Sequence, residues 1–131
     1  MAGLPGSGLT RRERLSSPGQ FRRVFQKGIR VDGPLFSVVA AANDCGHDRL
    51  GLAASRRVGG AVARNRAKRL LRECFRRHKR PQPPALDLVL MAKNEIVGCV
   101  QGEVDREYEQ RLRRLQERVS RARGPAAAPV D

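Results

Sequence analysis

Tryptophan is absent from this chain of 131 residues, tyrosine occurs once, and aromatics make up only 4%. A large aromatic core is therefore excluded, and one domain with a modest aliphatic core is the expectation for this length. No apolar run is long enough to span a membrane. The opening MAGLPGSGLTRRERL has no apolar segment of the kind a signal peptide requires. Cysteine is scarce as well. Cys45, Cys74 and Cys99 form no CxxC pair, and an odd number at wide spacing does not read as a disulfide framework. A reduced, cytoplasmic setting is expected. Cys45 and His47 could offer two metal ligands, but no second pair accompanies them, so no metal site is expected in the protein. His47 falls in a turn and His78 near a helix end, and neither reads as a general base.

Acid is scarce in one half only. Residues 1–80 hold 19 Lys and Arg against 5 Asp and Glu, a net of +14, whereas residues 81–131 hold 8 and 8. The whole formal excess of +14 thus sits in the first 80 residues. Such a bias in a small soluble chain points to a polyanionic partner, most often nucleic acid.

The pattern of apolar residues and breakers predicts three helices and at least three strands. Residues 1–14 read as a flexible basic arm, and residues 123–131 as a disordered tail, around a single domain at 15–122. SSPGQFRRVFQKG predicts a short helix, with Ser17 as N-cap, Pro18 at the first position and Gln20 completing a capping box. Phe21, Val24 and Phe25 make its apolar face, and Gly28 stops it. Strands are expected at 35–42 and 49–55, close enough for a hairpin across the turn NDCGHD. A basic helix follows at 64–79, stopped by RPQPP. The run LDLVLMA (86–92) reads as a central strand. Val104, Tyr108, Leu112, Leu115 and Val119 recur at helical spacing in a last helix from about 103 to 122. Its Glu107–Arg111, Glu109–Arg113 and Glu117–Arg121 spacings favour ion pairs.

The basic helix carries the functional signal. Between Val62 and Arg80 there are nine basic residues and one acid, Glu73. Ala67, Leu70, Leu71, Cys74 and Phe75 follow i, i+3, i+4, i+7, i+8 and must face the core. Asn65, Lys68, Arg69, Arg72, Arg76 and Lys79 fall on the other side. Arg64, Lys68, Arg72 and Arg76 are successive at i, i+4. Those three like-charge contacts cost about 1 kcal/mol together, partly offset by Glu73, four residues from both Arg69 and Arg77. With nearly one sign of charge, mutual salt bridges do not account for the face, and contact with nucleic-acid phosphates does. A groove-reading DNA helix would need a preceding short helix at helix-turn-helix spacing, and strands with a Gly-Gly bend precede it here.

The stretch SRRVGGAVARNRAKRLLRE (55–73) resembles the signature of the bacterial ribonuclease P protein subunit, with Arg64, Asn65 and Arg66 supplying its Arg-Asn-Arg motif. FRRVFQKG (21–28) resembles that family's first helix, and the similarity spans about residues 11–120. The resemblance implies an α/β sandwich, a sheet of about four strands packed by three helices in the order α-β-β-β-α-β-α, with a left-handed βαβ crossover. It implies an accessory subunit of a ribonucleoprotein whose catalytic RNA, with Mg²⁺ bound mainly by that RNA, cleaves the 5′ leader from precursor tRNA. Arg56, Arg57, Arg64, Asn65, Arg66, Lys68, Arg69, Arg72 and Arg76 would meet the catalytic RNA. Phe21, Phe25, Phe36 and Arg30 would meet the leader. From the residues alone each Phe is open between core and cleft, since bases stack on rings beside positive charge. Phe75 lies on the core face. No catalytic residue is expected in the protein, and neither membrane nor DNA is expected as a partner. Two other classes fit parts of the pattern. A ribosomal or RNA-chaperone protein would share the charge but need no leader cleft. A protein-only nuclease would need clustered carboxylates for metal ions, and the basic half offers none.

Overall fold

Ser17 and Gln20 cap each other's backbone: Gln20 N donates to Ser17 Oγ at 3.2 Å and Ser17 N to Gln20 Oε1 at 3.2 Å. This reciprocal cap, with Pro18 at the first position, starts helix α1 (Pro18–Lys27) as expected. The computed structural model describes residues 9–80 and 83–127, with side chains to Arg121. Helix α1 ends at Gly28, but not because that glycine needs a left-handed backbone. Its φ is −85°. A Cβ there would stand 2.7 Å from Val39 Cγ1 and 2.9 Å from the Ala40 carbonyl, so glycine lets the helix end press against the sheet.

The strands are β1 (Ile29–Asp32), β2 (Phe36–Ala42), β3 (Arg49–Ala54) and β4 (Leu86–Ala92), in spatial order β1-β2-β4-β3. β1 pairs antiparallel with β2, and β2 antiparallel with β4. β3 pairs parallel with β4. The hairpin expected between 35–42 and 49–55 does not form. Apolar β4 inserts between those strands, and the tight hairpin is β1–β2. β4 is central, as its unbroken apolar run predicts. Helix α2 (Ala61–Arg77) is the crossover between parallel β3 and β4, and helix α3 (Gln101–Ala127) follows β4. The chain is thus a mixed four-stranded sheet with three helices in the order α-β-β-β-α-β-α.

Alternation along the strands makes two unequal layers. Phe36, Val38, Ala40, Leu88 and Leu90 form the larger core with Leu70, Leu71, Cys74 and Phe75 of α2 and Val104, Tyr108 and Leu115 of α3. The opposite face carries the smaller cluster of Val39, Ala41 and Val89 under Leu15 and Val24. Helix α1 and the segment at Leu15 cover that side.

Segment 9–14, expected as part of a flexible arm, is ordered. Leu9 is buried, Arg11–Glu13 forms a 3-10 turn, and Arg14 bridges to Leu50. A buried apolar anchor and strand-like pairing to β3 hold it. Residues 1–8 and 128–131 lie outside the described residues. Helix α3 runs on to Ala127, past the boundary expected near Ala122.

Candidate nucleic-acid interface

Helix α2 is launched by a turn that only glycine makes easily. Gly59 has φ +141°, and Gly60 is an N-cap with no side chain to close the helix end. Just before it, the 3-10 turn Arg56–Val58 buries Val58 and leaves Arg56 and Arg57 exposed. Ala67, Leu70, Leu71, Cys74 and Phe75 are all buried, which fixes the rotation of the helix and turns Asn65 and Arg69 outward.

Five of the nine basic residues between Val62 and Arg80 are engaged within the protein. Arg66 Nη2 donates to the Cys99 carbonyl at 2.6 Å, tying α2 to the loop before α3. The carbonyl is neutral, so Arg66 keeps its charge but not its freedom. Arg76 pairs with Glu73, and Arg77 reaches both Glu73 at 3.9 Å and Asp105 of α3 at 3.0 Å. Glu73 therefore serves Arg76 and Arg77, not Arg69. Lys79 Nζ lies 2.6 Å from Glu13 and 4.8 Å from the centre of the Phe75 ring. Arg80 is buried to 6% exposure and grips Asp48 with two bonds of 3.0 Å, while also donating to Gln116 and the Pro84 carbonyl. It is a structural pin, not part of the interface.

The remaining four, Arg64, Lys68, Arg69 and Arg72, have no acid or hydrogen-bonding side-chain partner among the described residues. Partial burial, together with the charges of Arg14 and Arg69, lowers the Arg72 guanidinium from its ordinary value. Arg14 was not visible as a site residue in the sequence. The Leu15–Leu50 backbone bond at 3.0 Å brings its segment alongside β3 and so toward α2. Arg14, Arg56, Arg57, Arg64, Lys68, Arg69 and Arg72 thus stand as a surface of uncompensated positive charge. Such a surface binds phosphates through guanidinium forks and carries little sequence information.

The residues expected to hold a single strand divide across the sheet. Phe21 is half-buried, its ring over Gly51, where any Cβ would clash with it. Phe25 is 48% exposed on the same helix. Arg30 alternates with core-facing Val31 and so lies on the α1 side, where its Nε donates to Asp32 Oδ1 at 2.9 Å. Hydrogen bonds from Ser37 and then Arg30 hold the Asp32 carboxyl below its ordinary value. Phe36 is a correction. It is fully buried on the other face, 6.2 Å from the Tyr108 ring, and is core. Its place at an odd step from Ser37 and Val39 decides this, since strand neighbours point to opposite faces. Val39 is buried under α1 and presents no surface. Met91, half-buried beside Phe21, is a floor residue that the sequence did not single out.

Among the described residues, no three His, Cys, Asp or Glu side chains converge as metal ligands. Asp48, Asp87 and Asp105 each face an arginine instead. Cys74 is buried beside Asp105, and both burial and that carboxylate push its thiol far up, so it is an inert core residue.

The family model described as Ribonuclease P matches residues 9–116. The ribonuclease P protein component of Methylococcus capsulatus is 38% identical over 121 residues, covering 92% of this chain and 94% of that one. That of Pseudoalteromonas translucida is 39% identical over 106 residues, covering 80% and 75%. The Thermotoga maritima RNase P protein superposes with a TM-score of 0.68 at 28% identity, covering 80% of this chain and 96% of that one. The Staphylococcus aureus RNase P protein gives 0.69 at 29%, covering 77% and 93%. The Arg-Asn-Arg helix, the sheet that carries it and these likenesses agree, and the chain belongs to the ribonuclease P protein family.

Proposed function

We propose that this protein component of ribonuclease P assists removal of the 5′ leader from precursor tRNA by holding two RNA elements on two surfaces. The observation that carries this reading is the partition of charge on α2. Arg64, Lys68, Arg69 and Arg72 are left unpaired on a rigid, core-anchored helix while their neighbours are consumed by structural contacts. That surface, extended by Arg56 and Arg57, neutralises phosphates of the ribonuclease P RNA. Arg66 and Arg76 contribute less freely, because each is already oriented by a protein acceptor.

The α1 side of the sheet takes the single-stranded leader. Phe25 and Phe21 offer ring faces for stacking, with Arg30 on the same side for phosphate. The chemistry belongs to the RNA. Magnesium bound mainly by the RNA supplies the activated water and charge stabilisation at the scissile phosphodiester. The protein contributes position and counter-charge, which lower the cost of bringing two polyanions together. The same reading makes RNA, not DNA, the partner and places the protein in the cytoplasm. No helix among the described residues is long and apolar enough to cross a membrane.

Reconstitution tests this directly. Mixed with ribonuclease P RNA and precursor tRNA at low magnesium, the protein should promote cleavage that releases the leader. Failure to bind the RNA or to promote cleavage would overturn the reading, and cleavage by the protein alone would replace it with a protein nuclease.

A further inference from the structure

Helix α3 looks neutral in sequence, with six arginines and five acids between residues 101 and 121. In the fold two of the five acids turn away from a cluster of arginines. Asp105 faces Arg77, and Glu109 Oε2 lies 3.3 Å from His78 Nε2, both toward α2. Arg111, Arg114 and Arg118 follow one another at i, i+3, i+7 and, with Arg113, line a cavity of about 450 Å³ against β1. Val31, Asp32, Gln110 and Glu117 complete its wall.

Two of these arginines are held in place by main-chain carbonyls. β1 is an edge strand, so alternate carbonyls point away from β2. Arg111 Nη1 donates to the Asp32 carbonyl at 2.9 Å, and Arg118 Nη1 donates to the Arg30 carbonyl. Gly33 makes room for the first contact, since a Cβ there would stand 2.7 Å from Arg111 Cδ. Glu107 offsets Arg111, with Oε2 3.2 Å from its Nε. The Arg118 acceptor is a neutral carbonyl, so its charge stays. Arg113 and Arg114 are exposed and have no partner among the described residues. Asp32 is occupied by Arg30 and Ser37. Glu117 is the remaining acid of the wall, and it leaves an excess of two positive charges.

We propose that the cavity between β1 and α3 is a second RNA phosphodiester site, with Arg113 and Arg114 as its free donors and Arg118 as an ordered flank. The Arg118 guanidinium, oriented before binding, loses little entropy on meeting a phosphate, and Arg113 and Arg114 add uncompensated charge beside it. Helix α2 packs against β3, whereas this cavity borders β1, at the other edge of the sheet. Three strand spacings separate those edges, roughly 14 Å. One phosphate cannot serve both, so the cavity takes phosphates other than those on α2. This inference rests on the reading of the partner as RNA.

The test is the salt dependence of binding by the full chain, with Arg113→Ala/Arg114→Ala compared with wild type and with Arg64→Ala/Arg69→Ala. Two titrations are read: ribonuclease P RNA with protein, and precursor tRNA with the assembled holoenzyme. The cavity variant should lower the slope of log K against log salt by about 1.4–1.8, at about 0.7–0.9 per lost phosphate contact. A fall in the first titration identifies the catalytic RNA as the ligand, and a fall only in the second identifies the substrate. The slope counts neutralised phosphates, so a purely structural role for these exposed residues would leave it unmoved. Unchanged slopes in both titrations, with a loss in the α2 variant, would overturn the second site and keep the first. No loss in either variant would overturn the RNA reading itself.

Discussion

Helices α2 and α3 lie side by side on one face of the sheet and bury comparable apolar stripes, yet they handle charge in opposite ways. Between residues 61 and 77, α2 carries seven basic residues and one acid, and only part of that charge can be absorbed locally. α3 carries near balance between residues 101 and 121, and turns two of its five acids to its neighbour: Asp105 to Arg77, Glu109 to His78. The contrast teaches that a count of charges does not locate an interface. Arg80 and Arg69 stand eleven positions apart in one basic run. One is buried against Asp48, and the other is free on the surface.

Arg80→Ala should break the comparison hardest. It leaves the half-buried Asp48 carboxylate with only the Leu86 N–H as a partner, a loss of about 3 kcal/mol. Denaturant unfolding should show the drop, while Arg69→Ala stays within about 0.5 kcal/mol of wild type. Similar stabilities for the two variants would refute the division of the run into pin and interface.

The double variant Arg64→Ala/Arg69→Ala probes the free half. Stability should hold, and binding to ribonuclease P RNA should weaken roughly 25- to 60-fold at 0.1 M salt, as a slope lower by about 1.4–1.8 implies. An unchanged affinity would remove both residues from the RNA surface.

On the other side of the sheet, Phe25→Ala should cost about 1–3 kcal/mol in binding precursor tRNA and nothing for mature tRNA, the worth of one stacked base. Phe36→Ala should do the reverse, unfolding the protein by about 3–5 kcal/mol without selective loss of the leader. Equal weakening of both tRNAs by Phe25→Ala would argue against a leader contact there.

The smallest effect concerns the one acid of α2. The Arg76 guanidinium, opposed by some burial, holds the Glu73 carboxyl below its usual 4.5. A carboxyl lowered on folding stabilises the protein above its unfolded value and loses that contribution as pH falls through the folded value. The advantage of wild type over Glu73→Gln should therefore be present at neutral pH and fade below about pH 4.5 in thermal melts. A difference that persists into stronger acid would rule out the charge as its source.

The elements legible in sequence were those with local causes. The capping box at Ser17 and Gln20, the stripe from Ala67 to Phe75 and the apolar run of β4 each follow from spacing within one segment. The Arg-Asn-Arg helix stood out because its charge excess and its apolar face are both periodic. The neighbour of each strand was not legible, because 35–42 and 49–55 are close in sequence and the insertion of β4 between them depends on burial across the whole sheet. Phe36 illustrates the same limit at one residue, since its face is set by register with Ala92 of β4.

By itself, then, the sequence determined the helices, the central strand, the segregated basic charge and the family signature, because periodicity, caps and net charge are local properties of a chain. Only the tertiary structure decided which arginines remain free. A guanidinium's availability depends on whether an acid or a carbonyl from a distant segment reaches it first. Glu13 for Lys79, Asp48 for Arg80, Cys99 for Arg66 and Asp105 for Arg77 all come from other parts of the chain.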